Sequence, residues 1–154
     1  MKFFLGCLGL IAIFAVYSIR ASCTNTQNFN LAGRWKVEFK LSGDKEHTLQ
    51  FDAQPDGKGS ILLLDPVSSL NSPAEPAKAQ WEQDASDQPT FSGAISFPIG
   101  NVGRDVGILV FKGKFESANS ISGKVSFFRE GQDVKNSATT PAKTSEFTAK
   151  RSPN

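Results

Sequence analysis

The chain has 154 residues, 39% of them hydrophobic, and a formal net charge of +2. That length suits one domain with a real core, and the composition excludes collagen-like and low-complexity classes. With Lys2 and Arg20 set aside, the remaining Lys and Arg equal the 15 Asp and Glu, so no nucleic-acid partner is expected.

The first element reads as an export signal. Lys2 precedes Phe3–Ile19, which carries no charge, and the small residues Ala21 and Ser22 close it before the polar Thr24–Asn28. A basic start, an apolar centre and small terminal residues are what a secretion machine recognises. The apolar stretch falls short of the ~20 residues a membrane-spanning helix needs. The residues before Cys23 resemble the bacterial lipoprotein signal, although Arg20 stands where an aliphatic residue is usual. That resemblance implies removal of 1–22 and a lipid on Cys23 as the new N-terminus. Ordinary cleavage near Ala21 is the alternative, and it leaves Cys23 a free thiol. Both place the protein in the cell envelope (periplasm or outer membrane) or outside the cell, with membrane attachment only through the N-terminal anchor.

Residues 23–30 then read as a polar tether and 31–152 as the folded domain. Both cysteines, Cys7 and Cys23, precede that domain. It therefore relies on its hydrophobic core and not on disulfides.

From Gly33 onward the pattern has period two. Trp35, Val37, Phe39 and Leu41 share one face, and Arg34, Lys36, Glu38 and Lys40 share the other. That is a half-buried strand. Leu49, Phe51 and Ala53 repeat the pattern before Pro55-Asp56-Gly57 supplies a turn. Six further strands are expected at 59–65, 77–83, 90–98, 105–116, 120–130 and 143–151, while the prolines of 65–76 argue for a covering loop. Eight short strands with hairpin-like turns predict an all-β fold. An antiparallel up-and-down barrel is favoured over a sandwich because closure removes free edges. Phe91–Phe97 and Ile121–Phe127 echo one another, with Gly93 and Gly123 on the apolar face where a closed barrel must bend.

The opening Leu31-Ala32-Gly33-Arg34-Trp35 resembles the Gly-x-Trp of lipocalins and related calycin barrels. The resemblance implies that Trp35 closes the barrel floor and that a basic residue of the last strand covers its ring. Arg151, on one face with Phe147 and Ala149, is the residue so placed. Such a cation–π contact contributes ~0.5–2 kcal/mol. The chain lacks the disulfide of typical lipocalins, and the avidin-type and bacterial inhibitor-type barrels of the same superfamily fit the pattern equally.

Catalytic chemistry is sparse. His47 is the one histidine, so neither a His-rich zinc site nor, without cysteines in the domain, a thiolate site is expected. No nucleophile-elbow sequence is present, and Gly100-Asn-Val-Gly103 does not open a helix that would cradle phosphate. No catalytic residue, metal or cofactor is assigned, the protein reads as a non-enzyme, and His47 reads as a hydrogen-bonding residue of the barrel rim.

What remains is an aromatic interior. Phe39, Phe51, Trp81, Phe91, Phe97, Phe111 and Phe127 have inward parity, with Phe115 beside them. Eight strands enclose a space that side chains fill or that holds one small ligand. The expected function is binding of a small hydrophobic or aromatic molecule, gated by the Pro66–Pro76 and Pro98–Gly103 loops. The alternative is a protein-interaction module, an inhibitor or assembly factor, with a solid barrel. Leu62, Leu64, Ile108 and Val110 lie in runs that are apolar on both faces. They are expected under a loop, or at an interface with a partner or a second copy.

Overall fold

Side-chain alternation becomes a continuous ladder in the computed structural model, which describes residues 29–65, 75–83, 87–99 and 103–153. The strands are β1 (Gly33–Phe39), β2 (His47–Ala53), β3 (Lys58–Leu63), β4 (Ala77–Gln83), β5 (Pro89–Ile99), β6 (Gly103–Ser117), β7 (Ser120–Arg129) and β8 (Lys143–Arg151). Each pairs antiparallel with the next, and β1 pairs with β8. The fold is all-β: a closed, eight-stranded, up-and-down barrel with no helix among the described residues. This architecture fits a calycin-like plan.

The strand limits differ from the sequence reading at a few ends. β1 stops at Phe39, yet Leu41 stays buried, and its carbonyl accepts the Asp44 N–H at 2.9 Å in the turn that follows. β3 stops at Leu63, although the Leu64 N–H still donates to Thr48. The expected Pro98–Gly103 loop is shorter, since Pro98 pairs with Arg104 and Ile99 with Gly103. A proline at a strand end forfeits only one ladder donor, so the pairing survives there. The expected export signal, Cys23, the expected tether up to Asn28 and most of the Pro66–Pro76 stretch lie outside the described residues.

Register sets the layers of the core. Trp35 pairs with Phe51 and Arg151, Phe51 with Ile61, and Phe91 with both Trp81 and Phe111. Each inward row of one strand thereby meets the inward row of its neighbours. The two echoed glycines sit where the sheet turns tightly. A Cβ on Gly93 would meet Ile61 Cδ1 at 2.6 Å, and one on Gly123 would meet the Lys112 carbonyl at 2.2 Å. Gly123 must stay bare because the atoms it faces are backbone, whereas a side chain at Gly93 would require Ile61 to shift.

Candidate functional site

The interior is built from rings. Phe91 stacks between Phe51 and Phe111, with centroids 4.4 Å away on each side and planes 8° and 9° apart. Phe147 meets Phe91 and Phe111 edge-on at 5.8 and 5.1 Å, and Phe39 meets Phe111 edge-on at 5.7 Å. Phe97 contacts Phe127 at 5.7 Å and Phe39 at 6.4 Å. Offset stacks and T-shaped contacts of this kind each contribute ~0.5–1.5 kcal/mol beyond area burial.

These rings are 0–4% exposed. An open lumen would leave its lining accessible to water, so the space around them is filled. Phe39, Phe51, Phe91, Phe97, Phe111 and Phe127, read from sequence as a ligand lining, all lie inside the barrel and pack on one another. Trp81 is only half-buried, and its indole N–H donates to the carbonyls of Gln54 at 2.8 Å and Lys58 at 3.0 Å. That polar anchor fixes Trp81 to the β2–β3 turn at one end of the barrel.

The same end is closed by the chain entering β1. Arg151 lies over Trp35, its Cζ 4.3 Å from the ring centroid. The guanidinium also donates to the carbonyls of Ala32 at 2.8 Å, Asn30 at 2.5 Å and Ala118 at 3.2 Å. Burial pulls its pKa downward, although a guanidinium keeps its proton in proteins. The Trp35 indole donates to Leu31 at 2.7 Å. Gln83 receives the Leu31 N–H at 3.0 Å and donates to the Phe29 carbonyl at 2.8 Å. Phe29 stacks on Phe115 at 5.0 Å. Phe29 and Asn30, read as the end of a polar tether, are thus part of the floor. The missing signal was long-range, because Gln83 and Arg151 meet these residues only through closure.

At the opposite rim His47 is 2% exposed and lies 4.6 Å from the Phe97 ring. Its Nδ1 is hydrogen-bonded to Asp65, whose other oxygen accepts the Thr48 N–H at 2.8 Å. Nε2 makes no hydrogen bond among the described residues, and the Asp44 carboxylate stands 3.8 Å from it. Lys143 holds Asp44 at 3.0 Å. Burial pushes the Asp44 carboxyl up, but the Lys143 hydrogen bond and charge, with the neighbouring His47 and the Lys45 N–H, together outweigh it and hold the group below the usual carboxylate range. No cluster of three or more potential metal ligands occurs among the described residues.

Outside the sheet, Leu64 and Ile108 are 46% and 38% exposed, whereas Leu62 is half-buried. Val110 and Phe128 point outward and yet are buried. They adjoin Val134 and Pro141 of the β7–β8 connection, which lines a groove with them. Ala142 N–H ties that connection back to the Phe127 carbonyl at 2.8 Å. The structure therefore separates the four apolar positions: Val110 lies at the floor of that groove, while Leu64 and Ile108 face solvent. Compared with known proteins, the chain matches no family model and no curated protein.

Proposed function

We propose that this is an exported protein-interaction module, tethered by a lipid on Cys23, that works from the outside of a solid barrel. The observation that carries this reading is the filled interior, where Phe51, Phe91 and Phe111 occupy the space a small ligand would need. A carrier of apolar molecules pays for its cavity in lost packing, and this core is built the other way. The rigid cylinder then serves as a frame whose outer strands and connections meet a partner in the envelope.

Titration of the purified protein with the apolar fluorophore N-phenylnaphthylamine tests the reading. No saturable enhancement is expected, and stoichiometric uptake would return the protein to the ligand carriers. Mass spectrometry of the N-terminus tests the tether separately. Acylated Cys23 is expected, and a free Cys23 or another start withdraws the lipid.

A further inference from the structure

β6 and β7 set two lysines face to face on the outer surface. Lys112 and Lys124 are register partners, and Lys114 follows on the same face of β6. Like charges directly opposed across antiparallel strands destabilise the pair. Among the described residues neither Lys112 nor Lys124 forms an ion pair, whereas Lys114 pairs with Asp87 at 3.6 Å. The neighbouring acids stand beside the cluster, and none of them lines the groove that the lysines share. Glu146 is the β8 register partner of Lys124 without closing a salt bridge, and Glu116 accepts the Ser122 hydroxyl at 2.6 Å.

The lysines rim a groove of about 660 Å³ between this sheet face and the β7–β8 connection. Val110 and Phe128 lie in its lining, with Val134 and Pro141 on the connection side. Two chemistries converge there, a cationic rim and an apolar bed. A small inorganic anion would use the rim and leave the bed wet. A short acidic segment bearing one large apolar side chain satisfies both.

We propose that this groove docks an acidic peptide segment of a partner protein. Its apolar side chain enters the groove against Val134 and Pro141, over the floor made by Val110 and Phe128, and its flanking carboxylates pair with Lys112, Lys124 and Lys114. The inference rests on the outer-surface reading and names the chemistry of the partner.

The test is fluorescence anisotropy of a fluorescein-labelled peptide with a central phenylalanine flanked by glutamates, at low salt. Saturable binding is expected. Lys112→Glu with Lys124→Glu should weaken it about tenfold, as loss of two surface ion pairs implies. Lys36→Glu with Lys150→Glu reverses another opposed pair, on β1 and β8, and should leave affinity unchanged. Lys112→Gln with Lys124→Gln relieves the repulsion, so it should weaken binding without lowering the melting temperature. A peptide with serine for phenylalanine should bind more weakly than the parent. Equal losses in both reversed pairs, absence of saturable binding, or tighter binding of phosphatidylglycerol vesicles through the same lysines would overturn the proposal. If the peptide fails while N-phenylnaphthylamine is also refused, the groove falls and the solid barrel stands. Uptake of that fluorophore removes the outer-surface reading whatever the peptide does.

Discussion

Arg151 and Trp35 are register partners on β8 and β1, and the guanidinium of one lies 4.3 Å above the ring of the other. The pair joins the two strands whose meeting closes the cylinder. It also gathers the carbonyls of Asn30 and Ala32, so the entering chain is pinned under the floor. Gly33 makes room for this. Its φ is +127°, and a Cβ there would meet Arg151 Nη1 at 2.6 Å.

Arg151→Ala should therefore destabilise the protein by about 2–3 kcal/mol, through loss of the cation–π contact and of donors to part-buried carbonyls. Arg151→Lys should recover only part of this, because an ammonium is a point donor and cannot form the planar fork. Urea unfolding of the three proteins measures the order: wild type, then Lys, then Ala.

Phe111 touches Phe91, Phe39 and Phe147 at the centre of the core. Phe111→Ala should cost about 3–5 kcal/mol, since both transfer energy and packing contacts are lost around a poorly collapsible site. Thermal or chemical unfolding checks the magnitude. A loss below 1 kcal/mol, of the order expected for a surface position, would show that the ring is not packed as described.

Asp65 accepts hydrogen bonds from His47 and Thr48 at a buried rim. Asp65→Ala leaves two donors unpaired and should cost about 2–3 kcal/mol. The combination with His47→Phe should cost less than the sum of the single changes, because the two side chains share one interaction. A double-mutant cycle by urea unfolding measures that coupling.

The Asp44–Lys143 pair gives a pH dependence of definite sign. Against burial, the carboxyl is held below its unfolded range chiefly by the ammonium, so its contribution is complete above an unfolded carboxylate pKa of about 3.9. As pH falls through the folded value the unfolded chain binds the proton first, and the contribution is lost. Wild type should lose more stability than Lys143→Gln between pH 6 and acid below about pH 3. Chemical unfolding at the two pH values reads the difference.

Much of the barrel was legible because alternation is local. Trp35, Val37 and Phe39 face inward for the same reason that Arg34 and Lys36 face water, and strand number and hairpin order follow from such runs. Three things were not legible, each for a physical reason. Parity says that Phe51, Phe91 and Phe111 point inward but not how far apart their rings lie, so filled and hollow interiors look alike. Phe29 and Gln83 are far apart in sequence and meet only after closure. Nothing in the sequence marks Lys112 and Lys124, because only register sets them opposite one another with the β7–β8 connection beside them.

The most direct measurement is a crystal structure of the native protein and of Phe111→Ala, both pressurised with xenon. An apolar void binds xenon while a close-packed core excludes it. The account predicts no xenon inside the native barrel and an ordered atom where the Phe111 ring has been removed. Xenon among Phe51, Phe91 and Phe111 of the native protein would contradict it.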